Sequence, residues 1–470
     1  MKENRSMNSN ILKTTYIFML LFLILAIYLI GYVVVGSEKD INNPYNKRTD
    51  LFAEKILRGN IYADDMAILA QTVTDENGKE SRVYPYNNLF CHVVGSFDKG
   101  KYGLESTFDF QLLETGASIS EEILAELNNE KLKGNSIVTT LNIELQNICY
   151  EALGDYDGAV MVMDATSGDV LAMVSKPDYN PNDISSIWED IREDDHGALL
   201  NRVAQGLYPP GSVYKLFTLG GYIDQYKGSY YKFMYDCSGS VNFVDFTMGC
   251  SNRRAHGQLG LMGAFSNSCN CAFVELGSYM NIDKFREYCE EKLFNSKLPI
   301  TLPYKSSSLT LSSADSEFIK CQTVIGQGET LVTPIHMCMV MSAIANDGVL
   351  MKPRFVTSII DFKGNTVEEY DTEEYQKLYS KKEATMLKEY LREVVNSGTA
   401  YRLKNDAMNV YGKTGTAQIN TTGITDSWFV GAVETEDGKV YAVSVVLENV
   451  KENTSPSVVV TEEIIKALDK

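Results

Sequence analysis

Ser212-Val213-Tyr214-Lys215, Ser268-Cys269-Asn270 and Lys413-Thr414-Gly415 follow one another along the chain as S-x-x-K, S-x-N and K-T-G. The three strings are remote from each other in sequence, so the fold of this chain must bring three distant segments to one place. The residue types suit nucleophilic chemistry: a serine with a lysine three positions on, a second hydroxyl, and a lysine beside a small residue. No other reading accounts for all three strings together.

Each string is weak alone. S-x-x-K also occurs at Ser96-Phe97-Asp98-Lys99 and Ser229-Tyr230-Tyr231-Lys232. Only Ser212 has an informative context. The turn Tyr208-Pro209-Pro210-Gly211 precedes it and an apolar stretch over 213–223 follows, which predicts a helix beginning at Ser212. The serine would then sit where free backbone N–H groups favour negative charge, with Lys215 on the same face. An isolated S-x-x-K is ordinarily an N-cap beside a solvated lysine; the other two strings, in order, weigh against that here.

Other chemistries find little support. Gly412-Lys413-Thr414 invites a phosphate loop, but Ala407 stands where its first glycine belongs. Gly326-Gln327-Gly328 lacks the third glycine of a dinucleotide fingerprint, because Leu331 holds that position. There is no G-x-S-x-G, and the chain has four histidines. His92, His196 and His336 read as surface or structural residues, and His256, ahead of Ser268, as part of a site wall. No Cys/His spacing marks a zinc centre, so no metal is expected. The net charge of -19 argues against a nucleic-acid partner.

Residues 14–37 carry no charge, which is long enough to cross a bilayer and too long for a signal-peptide core. Lys2, Arg5 and Lys13 precede the run, while Glu38 and Asp40 follow it. The expectation is an uncleaved anchor with a cytoplasmic tail over 1–13 and everything after about residue 38 outside. The nine cysteines are an odd number; Cys237 and Cys250 could form a disulfide.

Residues 38–135 read as a modest α+β stalk and 136–470 as the main domain. In the latter, 158–164 and 169–175 read as one β-hairpin and 428–434 with 439–448 as another, turning at Glu436-Asp437-Gly438. Helices are expected from Leu141, from Thr333-Pro334 and from Thr461. Hairpins at both ends of a helical middle predict an α/β fold with an antiparallel sheet flanked by helices. Lys413 lies just before the second hairpin, on or beside an edge strand.

With these residues in place the chain resembles the class B, monofunctional penicillin-binding proteins. The resemblance runs through GAVMVMDATSGDVLAMVSKPDYNPN (158–182), NRVAQGLYPPGSVYK (201–215), IGQGETLVTP (325–334), Gly398-Thr399-Ala400, the Gly412–Ala417 string and Trp428-Phe429-Val430-Gly431. Two departures stand out: Asp64-Asp65-Met66 where relatives often have a glycine turn, and Asp426-Ser427 where a histidine is common.

The resemblance implies the penicillin-binding transpeptidase, serine β-lactamase-like fold, with a small α+β stalk and one N-terminal transmembrane helix. It implies a D,D-transpeptidase that cross-links peptidoglycan stem peptides ending in D-Ala-D-Ala and is acylated by β-lactams. Ser212 would be the nucleophile, Lys215 the base, Ser268 a proton relay, and Asn270 a holder of the substrate amide. Lys413, Thr414 and Thr416 would bind the terminal carboxylate. Gly415 would let the strand approach substrate, and the N–H groups of Ser212 and Thr416 would form the oxyanion hole. No cofactor is implied; a membrane glycan polymerase of the SEDS type is the implied partner. A carboxypeptidase or β-lactamase with the same acylation machinery, and a non-catalytic scaffold, remain the alternative readings.

Overall fold

The structure, a computed structural model, describes residues 2–32, 48–99, 101–419, 423–451 and 454–468. Its centre is a five-stranded, fully antiparallel sheet in the spatial order Asn409–Gln418, Ile424–Glu434, Val440–Lys451, Gly158–Asp164, Val170–Lys176. Both expected hairpins are present, the second with longer strands than the sequence suggests.

Side-chain alternation divides the sheet into two buried faces. Val160, Val162, Val443 and Val445 pack under the helices Ile143–Leu153 and Pro456–Leu468. Ala159, Met161, Met163 and Ala442 join the larger core on the other side, which contains the helix Pro334–Ala345. Every residue of that helix is buried, so it has no polar face to show solvent. Thr333 caps it by accepting a hydrogen bond from His336 N, and Pro334 takes the first-turn position where a missing N–H costs nothing. Both faces of the sheet are covered, and of its two edge strands, Asn409–Gln418 and Val170–Lys176, the first carries Lys413.

The N-terminal region is built differently. Its six-stranded sheet is mixed and assembled from short strands: Thr366–Glu369, Val356–Ile360, Ser136–Thr139, Ile61–Tyr62, Ile68–Thr74 and Glu80–Val83. Three of these strands come from beyond residue 135, so a boundary at 135/136 cuts through the sheet. The turn at Asp64-Asp65-Met66 is made without glycine: Met66 itself takes φ +67°. A buried ion network supports the region. Arg58 reaches Glu105 at 2.7 Å and Asp109 at 2.5 Å, and Arg82 reaches the other oxygen of Glu105 at 2.7 Å. Thr140 Oγ1 donates to Val170 O at 2.7 Å, joining this region to the central sheet.

The long uncharged run lies in the helix Lys2–Gly31. Within it Ile11–Gly31, 21 residues of mean hydropathy 2.3, is left uncovered by the other described residues. Length and composition suit a bilayer crossing. The expected end of the span at 33–37, with Glu38 and Asp40, falls outside the described residues.

Candidate active site

Pro209-Pro210 ends the preceding segment, and Gly211 to Tyr214 form a single 3-10 turn that runs into the α-helix Lys215–Gln225. Ser212 therefore sits in a tight turn ahead of the helix rather than at its cap. The turn is held from two sides. Gly211 N donates to Gly326 O at 2.8 Å, which gives the GQG string a physical part, and Trp428 Nε1 donates to Pro209 O at 3.1 Å. Gly211 has φ +52°, and a Cβ there would come within 2.5 Å of Thr416 O, so the edge strand and the turn approach only because this residue is glycine.

Lys215 points from the first turn of its helix into a pocket with no solvent exposure. Its Nζ lies 3.2 Å from Ser212 Oγ and 3.2 Å from Ser268 Oγ, donates to Ser268 O at 2.7 Å, and donates to Asn270 Oδ1 at 2.6 Å. Lys413 comes from the edge strand, is also fully buried, and places Nζ 3.0 Å from the same Ser268 Oγ. One hydroxyl thus stands between two lysines. Ser268 reaches that position in a left-handed conformation, φ +54°, immediately before the helix Asn270–Tyr279.

Among the described residues no carboxylate pairs with either cation; their further neighbours are the rings of Phe273 and Phe265, at 5.5 Å and 5.7 Å. Burial brings the Lys215 ammonium down to about 8, with the thiols of Cys269, Cys250 and Cys271 partly opposing the shift. Burial, and then repulsion from Lys215, push Lys413 well below its ordinary value. Two buried cations sharing one hydroxyl cannot both keep their protons cheaply, so the pair has room to accept one.

The sequence assigns Asn270 to the substrate amide, and its side chain is already partly engaged: Oδ1 accepts from Lys215 and Nδ2 donates to Gly249 O at 2.9 Å. Thr414 Oγ1 lies 2.6 Å from Thr399 Oγ1, a partner for which the sequence names no role although Gly398-Thr399-Ala400 was visible. Thr416 is exposed. A Cβ at Gly415 would meet Val213 at 2.9 Å, so this glycine accommodates the nucleophile turn behind the strand rather than substrate in front of it.

His92 and His336 are buried structural residues. His92 Nε2 is 2.8 Å from Ala198 O, and His336 spans Ser307 Oγ and Lys292 O at 2.7 Å each. Cys237 and Cys250, which the sequence allows to pair, form no disulfide here: the two sulfurs are 3.7 Å apart, and all nine cysteines are free thiols. The sequence singles out no metal-ligating group, yet in the fold Cys237, Cys250, His256 and Cys269 converge with their donor atoms within 4.8 Å of one another. These donors sit on small hairpins and a helix cap, so no compact spacing announced them.

Known proteins share the sequence family and the fold of this chain. The family profile for the penicillin binding protein transpeptidase domain matches residues 158–468. The peptidoglycan D,D-transpeptidase PbpA of Mycolicibacterium smegmatis is 26% identical over 467 residues, covering 94% of each chain. The peptidoglycan D,D-transpeptidase MrdA of Acinetobacter baumannii is 27% identical over 392 residues, 73% of this chain and 57% of that protein. Among solved structures, the D,D-transpeptidase domain of a peptidoglycan glycosyltransferase from Eggerthella lenta superposes with TM-score 0.78 at 29% identity, covering 87% of this chain and 97% of that one. The penicillin G acyl-enzyme of penicillin-binding protein A from M. tuberculosis shares the fold, with TM-score 0.78 at 22% identity over 88% of this chain and 100% of that one.

Proposed function

The chain belongs to the penicillin-binding protein transpeptidase family, and from that premise we propose which of its groups carry out the peptidoglycan D,D-transpeptidase reaction. The observation that carries the assignment is Lys215 Nζ at 3.2 Å from Ser212 Oγ, inside a desolvated pocket whose second lysine shares Ser268.

Ser212 Oγ attacks the carbonyl carbon of the penultimate D-alanine of a stem peptide. Lys215, in its neutral form, takes the serine proton. The charge that develops on the carbonyl oxygen is met by the backbone N–H groups of Ser212 and Thr416, an arrangement in which losing one donor typically costs on the order of a hundredfold. The C–N bond then breaks, Ser268 passes its proton to the departing amine of the terminal D-alanine, and Lys215 replaces it with the one taken from Ser212. The resulting ester is attacked by an amine of a second stem; the ester bond breaks and Ser212 regains its proton. A β-lactam follows the first half of this course, but its leaving nitrogen stays tethered to the acyl group. Lys413, with Thr414 and Thr416, receives the substrate carboxylate. We assign Asn270 to holding Lys215 through Oδ1, and its second Nδ2–H, beyond the one given to Gly249 O, to holding the substrate amide.

By the same reading Ile11–Gly31 is the membrane anchor, with Lys2, Arg5 and Lys13 on the cytoplasmic side and the catalytic domain outside. A SEDS-type glycan polymerase would meet the anchor and the N-terminal region; co-purification of the two from membranes tests this, and its loss on deleting the anchor is the expected result.

The reaction assignment is tested with full-length protein, a stem peptide ending in D-Ala-D-Ala and an amine acceptor, read by mass spectrometry. The expected products are D-alanine and a cross-linked peptide. Hydrolysis alone would make the protein a carboxypeptidase, and cross-linking left intact by Ser212→Ala would contradict the assignment of the nucleophile.

A further inference from the structure

Beside the lysine pocket lies a second cluster of reactive groups that the reaction above does not use. The strand Met234–Cys237 pairs antiparallel with Gly257–Gly260, and Ser240–Asn242 pairs with Thr247–Gly249. Together these hairpins bring Cys237, Cys250 and His256 to the N-terminus of the helix Asn270–Tyr279, where Cys269 is the capping residue. The backbone fixes the arrangement: His256 N donates to Cys237 O at 3.1 Å, Cys250 N to Gly239 O at 3.0 Å, and Cys269 N to Ala264 O at 2.9 Å. The three cysteines are 1%, 6% and 0% exposed.

The spacing of the donors decides what they can do. A disulfide would need two sulfurs about 2.0 Å apart. Ligands on a tetrahedral zinc ion, with Zn–S about 2.3 Å and Zn–N about 2.0 Å, stand about 3.8 Å apart sulfur to sulfur and about 3.5 Å sulfur to nitrogen. In this molecule Cys237 Sγ to Cys250 Sγ is 3.7 Å, Cys250 Sγ to Cys269 Sγ is 3.6 Å, and Cys237 Sγ to His256 Nδ1 is 3.5 Å. Three of the six donor–donor edges therefore match a tetrahedron around a zinc-sized ion, and all four donor atoms lie within 4.8 Å of one another. A soft set of three sulfurs and one imidazole selects zinc over magnesium or calcium. Ala272 N donates to Cys269 Sγ at 3.4 Å, the kind of outer hydrogen bond that supports a thiolate ligand. Cys271, whose sulfur lies 3.5 Å from Cys250, falls outside the four-donor group.

We propose that Cys237, Cys250, His256 and Cys269 form a structural zinc site that fixes the Ser268–Asn270 segment in place. The link to the reaction is short. Cys269 lies between Ser268 and Asn270 in sequence, and Gly249, which accepts the Asn270 amide hydrogen bond, immediately precedes Cys250. The ion would therefore act as a clamp behind the lysine pocket, touching no substrate. Its ligands are positioning residues.

The test uses full-length protein purified in detergent without chelators, with metal measured by mass spectrometry against protein concentration. The expected content is about one zinc per chain, falling below about a tenth in Cys250→Ser and in His256→Ala, while Cys271→Ser keeps its metal. Stripping the wild type with a chelator should slow fluorescent-penicillin labelling at least about tenfold, and zinc alone should restore it. If the ligand variants fail to fold, cobalt loaded into stripped wild type should show the visible bands of a tetrahedral thiolate complex. Folded wild type that labels at full rate without metal would overturn the proposal. So would an intact mass showing a Cys237–Cys250 disulfide, or a Cys250→Ser variant with unchanged zinc. Because the metal is read separately from labelling, loss of the zinc site and failure of the serine chemistry give different results.

Discussion

Two buried charge clusters of this molecule obey opposite rules. In the N-terminal sheet Arg58 and Arg82 meet Glu105 and Asp109, so each cation has an anion. Burial opposes the charge of Arg58, but the two carboxylates outweigh it and hold its pKa above the ordinary value. Burial likewise pulls Glu105 upward, and the two arginines still hold it below the carboxylate range. In the lysine pocket two cations face each other across one hydroxyl with no anion between them, and both are pushed down. The first cluster spends its charges on holding its region together. The second keeps its charges uneasy, and that unease gives Lys215 the capacity to take a proton.

That contrast can be broken at either end. The largest effect is expected at the lysine pocket: Lys215→Met should slow penicillin acylation by about a thousandfold or more while moving the melting temperature little, measured by stopped labelling and calorimetry. Glu105→Gln should do the reverse. It leaves two buried arginines short of an anion and should cost about 3–5 kcal/mol of stability, with acylation per folded molecule unchanged, read from chemical denaturation beside labelling.

Much of this was legible in the sequence. The lysine pocket was readable because its members sit in short strings with fixed internal spacing, and the central sheet because its hairpins alternate cleanly. The N-terminal sheet was not: it is stitched from strands of two to seven residues that come from three remote parts of the chain, too short for any periodicity to register. The 3-10 turn at Ser212 was hidden because a serine before an apolar stretch reads as a helix cap. The cysteine cluster was hidden because its donors follow the geometry of two hairpins rather than a linear motif.

Two pH experiments sharpen the comparison further. Lys215 must be neutral to act and its value is lowered to about 8, so acylation should rise about tenfold per unit below pH 7 and level off above about 8, measured as labelling rate against pH. Among the smaller effects, Asp426 lies almost fully buried on the strand beside Ala417, where burial raises its carboxyl to about 7. A folded value above the unfolded one means the folded state holds the proton more tightly. The stability this lends is complete below about pH 4 and is lost as pH rises through about 7. Asp426→Asn removes the ionisation and should flatten the fall in stability between pH 6 and 8 by about 1–2 kcal/mol, seen in denaturation midpoints.

The central claim is that Ser212 is acylated with Lys215 as its base. Full-length protein treated with penicillin, digested and mapped by mass spectrometry tests it directly, with Ser212→Ala beside the wild type. One penicilloyl group on the peptide containing Ser212, absent from the variant, is the predicted result. An adduct on any other residue, or equal labelling of the folded variant, would contradict the account.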